Sequence, residues 1–353
     1  MDAGISLFLG TPPKQNEQII EKARTANVKY AFTSLQIPEE TVGDYESAVK
    51  KLAYKCKDAG IGLIADISPE TLKKMCCPSL KEIRNWGITS VRLDYGYSAR
   101  ETVEISRQFT VFLNASTITG KEILEWKNEG AELSRFVACH NFYPKPYTGL
   151  SGEKVKEING WLKGFGLQTM AFVPGDGVLR GPLQEGLPTV EEHRFHKEDV
   201  LLHLLSLHYD LGCDKVAIGD IDVSDRVWKG IGNLNEGIIE VEAEMESGLA
   251  SDYGYITEGI HHDRVDGSSY LFRSVESRGY KEKVSPENCA KRREGSICIS
   301  NERYLRYEGE LEIVRRDLPE DERVNVVGRI VPDDLKYIPF IQKEMGVRIC
   351  TGK

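Results

Sequence analysis

Eight short apolar runs recur along the first two-thirds of the chain, at Ile5–Leu9, Tyr30–Leu35, Gly62–Asp66, Ser90–Asp94, Thr110–Asn114, Phe136–His140, Gln168–Val173 and Lys215–Gly219. They lie roughly 25–30 residues apart with helical patterns between most of them, the cadence of repeated βα units. Eight such units in about 230 residues predict a (β/α)8 TIM barrel. A doubly wound open sheet is the competing arrangement, but no GxGxxG follows the first run. The helix signals agree with this cadence. The series Tyr45, Ala48, Val49, Leu52, Ala53, Cys56 is one face of a helix over Thr41–Ala59, closed by Gly60. Ser68-Pro69 pairs a capping serine with a proline at the first helical position.

The pattern then changes. Ile239 to Glu246 alternates strictly between apolar and acidic residues, the signature of a strand with one buried and one wet face. Further β-like runs follow at Ser269–Ser274, Ser296–Ser300, Glu310–Val314 and Val324–Ile330. Two domains are therefore expected, a barrel over 1–236 and a small β-rich domain over 237–353, with a short last barrel helix at about Ser224 to Gly232.

A net charge of −9 argues against a nucleic-acid or membrane-surface binder while leaving room for a local basic pocket. The chain has no run of transmembrane length and its N-terminus lacks a basic signal-peptide region. The eight cysteines form no CxxC and no zinc spacing, so free thiols in a reducing cytoplasm are expected. No metal and no cofactor is called for, and a homodimer is compatible with everything above.

Active sites of such barrels lie at the C-terminal ends of the strands. Here those ends read Asp66, Asp94, Asn114, then His140-Asn141, and Asp220 and Asp222 after the eighth run. Asp66 and Asp94 occupy matching places on neighbouring strands, about 4.8 Å apart. Two carboxylates so close push one proton affinity up, as an acid/base pair requires. Pairing of one of them with Arg92 is the bland alternative. His140 and Asn141 are candidates for orienting a substrate. His193 and His196 read as surface histidines, since no HEXXH accompanies them.

The segments GISLFLG, IADISP, VRLDYG, FLNAS, ACHNFYPKPYTGL, EGLPTVEEHR, KVAIGD and HHDRVDGSSYLFRSVESR together resemble the 6-phospho-N-acetylmuramidases over nearly the whole chain. CHNFYP and EGLPTVEEHR are the specific ones. The resemblance implies a TIM barrel followed by a cyclophilin-like β domain. It also implies a cytoplasmic glycosidase of peptidoglycan recycling. Its substrate would be a disaccharide of 6-phospho-N-acetylmuramic acid and N-acetylglucosamine.

On that reading Asp66, Asp94 and Glu185 are the catalytic candidates, and Asn114, His140, Asn141 and Arg194 bind substrate. The long polar loop Gly175–Arg194 becomes a lid with Glu185 aimed inward, and Thr189 caps the next helix with Glu192 completing a capping box. Asp176 and Arg180 in the same loop rank below Glu185. The strand-8 loop is acidic, so the phosphate is assigned to Arg264, Arg273 or Arg278 of the second domain. A metal-assisted sugar-phosphate aldolase or epimerase, and a non-catalytic saccharide-binding protein, are the alternatives, since barrels host many chemistries.

Overall fold

A computed structural model of the protein describes residues 1–353 apart from 37–43, 76, 78, 250–252, 281, 342–344 and 353. The chain divides into two compact units, Met1–Asn235 and Glu236–Lys353.

The first unit is a closed barrel of eight parallel strands in sequence order. The strands are β1 (Ala3–Ser6), β2 (Tyr30–Ser34), β3 (Gly62–Ile67), β4 (Ser90–Leu93), β5 (Thr110–Asn114), β6 (Phe136–Cys139), β7 (Gln168–Val173) and β8 (Lys215–Ile218). The helices of this unit are α1 (Pro13–Thr25), α2 (Tyr45–Asp58), α3 (Pro69–Lys74), α4 (Leu80–Asn85), α5 (Ala99–Ser106), α6 (Gly120–Asn128), α7 (Gly152–Gly164), α8 (Val200–Tyr209) and α9 (Asp225–Asn235). All eight expected strands are present, and the predicted barrel is the observed one. Helix α2 starts at an Asp44 cap that accepts from Ser47 N, and it buries Val49, Leu52, Ala53 and Cys56; the predicted start at Thr41 lies outside the described residues. Ser68 caps α3 as its sequence indicates, accepting from Thr71 N. Helix α9 runs on to Asn235, a few residues beyond the expected stop at Gly232, because Trp228, Ile231 and Leu234 keep one apolar face buried.

Side chains alternate across each strand, and this parity sorts the barrel. One set, Tyr30, Phe32, Ile64, Phe112, Val137, Cys139, Met170, Phe172 and Ala217, packs together as an interior core. Tyr30 plugs the N-terminal end. Its hydroxyl donates to Val216 O at 2.8 Å, and Gly4 makes room for the ring, since a Cβ there would stand 2.2 Å from it. Continued toward the C-terminal ends, the same inward parity reaches Ser34 on β2, Asp66 on β3, Arg92 and Asp94 on β4, Asn114 on β5 and Asn141 after β6. The interior therefore changes from apolar to polar as it nears the mouth where such enzymes react.

The second unit is a six-stranded sheet in the order β10-β12-β11-β13-β9-β14, formed by β9 (Ile238–Met245), β10 (Leu271–Arg273), β11 (Ser296–Ser300), β12 (Leu311–Val314), β13 (Val324–Ile330) and β14 (Gly346–Thr351). Five of these were expected. Strand β14 was not, and it pairs in parallel with β9 along Gly346–Thr351. Its sequence, Gly-Val-Arg-Ile-Cys-Thr, is brief and follows no turn signal, so only the pairing identifies it.

Candidate active site

Asp66, the last residue but one of β3, is buried at 6 % exposure. Oδ2 accepts from Ser34 Oγ at 3.1 Å and lies 3.1 Å from Arg92 Nη1; Oδ1 accepts from Gln36 Nε2 at 3.0 Å. Burial raises its proton affinity, with neighbouring Asp94 adding to the rise, while Arg92, Ser34 and Gln36 oppose it. Arg92 is buried as well. Burial alone would weaken its charge, but Asp66, Cys139 and Asp94 together hold its pKa above the usual value. Its Nη1 stands 3.8 Å from Asp94 Oδ1 and its Nη2 donates to Asn141 Oδ1. Asp94 is the exposed member, its side chain 39 % accessible. One guanidinium thus joins Asp66, Asp94 and Asn141 in a single inward-facing polar layer.

Arg92, Ser34 and Gln36 were not singled out as site residues from the sequence. The signal was available in the spacing. Arg92 is two residues from Asp94, and Ser34 two from Gln36, so each pair shares a strand face. Asn114 shares the parity, and its Oδ1 accepts from Ser116 N at 3.0 Å to start the following turn.

The same parity removes His140. Val137 and Cys139 point inward, so His140 points outward, toward α7. It is completely buried, and its Nε2 meets Asn159 Oδ1 at 2.8 Å. The Asn159 amide nitrogen donates to Leu211 O at 2.8 Å, which identifies the oxygen facing His140 and makes Nε2 the donor. Burial lowers the affinity of this ring for a proton. His140 therefore fastens α7 to the barrel wall.

Arg194, expected to bind substrate, is engaged within the protein. Nε and Nη2 bind Glu191 at 2.6 and 3.1 Å; Nη1 donates to Gly186 O at 2.9 Å and Glu185 O at 3.2 Å; Nη2 donates also to Tyr143 O at 2.7 Å. All five guanidinium donors are consumed inside the protein. Glu191 completes the clamp by accepting from Tyr147 N and Gly149 N, both at 2.7 Å. Its pKa falls to about 2, first through Arg194, then through those two amides. Gly149 is required there, because a Cβ would lie 2.5 Å from Glu191 Oε2. The specific segments CHNFYP, continued through KPYTGL, and EGLPTVEEHR thus form the two halves of one clamp that locks the loop after β6 to the loop after β7.

The expected helix over Thr189–Arg194 is replaced by a 3-10 turn, Glu191–Phe195, without a side-chain cap. Thr189 is drawn away from capping. Its hydroxyl accepts from Phe172 N at 3.0 Å and donates to Asn141 O at 2.9 Å. His193, expected at the surface, is buried and stacked on His203 with ring centroids 4.0 Å apart. That environment lowers its pKa to about 3.

The long glycine-rich loop is held from the other side by Asp220 and Ser224 of the strand-8 loop. Buried Asp220 accepts from Gly175 N and Arg180 N at 2.9 Å and from Leu187 N at 3.0 Å. Asp176 accepts from Ser224 N at 2.8 Å and from its hydroxyl at 2.6 Å. Gly175 and Gly177 permit this closeness, since a Cβ on either would come within about 3 Å of Asp222 O. Along the loop the Arg180 guanidinium lies 4.7 Å above the ring of Phe8, just past the end of β1. Glu185 is exposed on the same loop, where its carbonyl serves Arg194.

In the second unit Arg264 and Arg273 converge on one exposed carboxylate, Asp266. Arg264 Nε donates to Oδ1 at 2.9 Å and Nη2 to Oδ2 at 3.3 Å, while Arg273 Nη2 stands 3.3 Å from Oδ2. Arg278 is exposed. No helix among the described residues is long and apolar enough to cross a membrane.

A family profile described as 6-phospho-N-acetylmuramidase, N-terminal, matches residues 3–233, and its C-terminal counterpart matches 239–349. Among solved structures, a conserved Enterococcus faecalis protein of unknown function is 34 % identical, with a TM-score of 0.76 over 99 % of this chain and 96 % of its own. An uncharacterised B. cereus protein is 24 % identical with a TM-score of 0.74 over 99 % of both chains, a likeness of fold. No curated protein matches the sequence.

Proposed function

The chain belongs to the 6-phospho-N-acetylmuramidase family, matched from residue 3 to residue 349 across both units, and on that premise we propose that it hydrolyses the glycosidic bond between 6-phospho-N-acetylmuramic acid and N-acetylglucosamine. The observation that carries this reading is the polar layer at the barrel mouth, where two acids flank one buried arginine, Arg92 being 3.1 Å from Asp66 and 3.8 Å from Asp94. Glycoside hydrolysis needs one carboxyl group to protonate the leaving oxygen and a second to act at the anomeric centre or to orient the substrate's own acetamido group.

Asp94 is the member with access to the substrate. Asp66 is enclosed by Ser34, Gln36 and Arg92, so it works chiefly by holding the guanidinium and through it the charge beside Asp94. Glu185, exposed on the strand-7 loop, is the further carboxyl available to the reaction. Asn114 and Asn141 supply amides for hydroxyl or acetamide groups. Arg264, Arg273 and Arg278 are assigned to phosphate recognition. The support is that Arg264 and Arg273 already grip an oxyanion, the Asp266 carboxylate, one of them through two bonds. The reaction needs no cofactor. Cytoplasmic peptidoglycan recycling is the setting proposed for it, supported by the family resemblance and checked by cell fractionation.

The deciding experiment incubates the protein with the phosphorylated and the unphosphorylated disaccharide and follows both sugars by mass spectrometry, with and without EDTA. Release of N-acetylglucosamine from the phosphorylated compound, unaffected by EDTA, is the expected result. Turnover of neither compound overturns the proposal, and activity lost in EDTA points instead to a metal-assisted reaction.

A further inference from the structure

A cavity of about 290 Å³ opens where the ends of β4 and β5 meet α5 and α6. It lies at the small end of ligand pockets, roughly 300–1,000 Å³, room for one sugar ring rather than two. Its lining includes Asp94, Tyr95, Tyr97, Asn114, Glu122 and Glu125, and no lysine or arginine among the described residues. Two features give it chemistry. Asp94 belongs both to this wall and to the polar layer around Arg92, at 3.8 Å from the guanidinium, so the cavity begins at the carboxyl assigned to the reaction. The Tyr97 hydroxyl is buried and makes no hydrogen bond to the protein, although a buried hydroxyl without a partner is costly.

We infer that this cavity is the subsite for the departing, uncharged N-acetylated amino sugar. The inference rests on the glycosidase reading above and adds which half of the substrate lies on which side of Asp94. The lining carries three carboxylates and no cation, Arg92 and Lys121 meeting Asp94 and Glu125 from outside it at 3.8 and 3.7 Å, so its net charge repels a phosphate or a lactyl carboxylate. Sugar hydroxyls, by contrast, donate well to carboxylates, Tyr95 and Tyr97 offer aromatic faces, and the Tyr97 hydroxyl lacks a partner within the protein. The charged sugar is therefore held on the other side of Asp94, and the cavity receives the neutral one.

The test has a binding arm and a kinetic arm. Saturation-transfer NMR with free N-acetylglucosamine, and with N-acetylglucosamine 6-phosphate as a charged control, reads the site without any turnover. Thr117→Trp and Ala99→Phe fill the cavity from two sides, and Tyr97→Phe removes only the hydroxyl; thermal melting verifies that each variant folds. The wild type is expected to bind the neutral sugar, the phosphorylated one at least tenfold less, and the filled variants at least tenfold less than wild type. In kinetics, kcat/KM for the disaccharide divided by that for an aryl 6-phosphomuramide should fall at least tenfold in a filled variant. Equal binding of the charged sugar, or undiminished binding and an unchanged ratio in both filled variants, overturns the assignment. Binding of the neutral sugar that is lost on filling, in a protein that hydrolyses neither disaccharide, supports the subsite and overturns only the glycosidase reading.

Discussion

Arg92 is the residue on which the candidate site turns. It and Asp66 are each 8 % exposed at the side chain and 3.1 Å apart, so neither charge is solvated without the other. Removing one member of such a pair typically costs about 3–5 kcal/mol, because the survivor is left buried and uncompensated. Arg92→Met is therefore expected to lower stability on that scale in chemical denaturation, and adding Asp66→Asn should restore part of the loss; strictly additive losses would show that the two do not interact. Asp94 lies outside this constraint. Asp94→Asn should leave the denaturation midpoint nearly unchanged and reduce kcat at least about 100-fold, the scale of a positioned acid or base. Near-normal turnover in Asp94→Asn would remove it from the mechanism.

Two loops, rather than any strand or helix, carry the most specific stretches of sequence, and their clamp has a definite pH signature. Glu191 titrates in the folded protein at about 2 against an ordinary 4.5. A lowered acid contributes stability that is present above pH 4.5 and is lost as pH falls toward 2. The stability gap between wild type and Glu191→Gln should accordingly be widest near neutrality and close across that window. A gap independent of pH would mean that the carboxylate charge does not hold the loops. Gly149→Ala tests the same clamp sterically. Its Cβ would meet Glu191 Oε2 at 2.5 Å and Cα at 3.1 Å, so a loss of about 1–3 kcal/mol is expected from the forced displacement, measured as a lowered melting temperature.

For the molecule as a whole, the open division of labour is which unit recognises the phosphate. The strand-8 loop, where TIM barrels often bind phosphate, has its buried acid Asp220 committed to holding the neighbouring loop through Gly175, Arg180 and Leu187. The arginines of the second unit are the proposed alternative. Arg264→Ala, Arg273→Ala or Arg278→Ala should erase the preference for phosphorylated over unphosphorylated disaccharide, measured as a ratio of kcat/KM values. If all three keep that preference and only melt earlier, Arg264 and Arg273 serve their own unit through Asp266.

The barrel was legible in the sequence because its determinants are local. Apolar runs at regular intervals, a capping Ser68 before Pro69 and a helix face through Cys56 each act within a few residues. Strand ends then mark the mouth by topology alone, which puts Asp66 and Asp94 at the same end of the barrel; the expectation that they occupy matching places is corrected by the register, in which Asp66 pairs with Arg92 and Asp94 follows two residues later, just past the end of β4. What each polar side chain does there depended on partners far along the chain. Asp66 finds Ser34 at the end of β2 and Gln36 just beyond it, and Arg194 is consumed by carbonyls at Tyr143 and Gly186. Thr189 bridges Phe172 and Asn141 instead of capping a helix. Strand parity, which separates inward Asn141 from outward His140, can be counted in a sequence once a core residue is known. The competition of one hydroxyl or guanidinium among several distant acceptors cannot, because its outcome is set by distances that exist only after the barrel has closed.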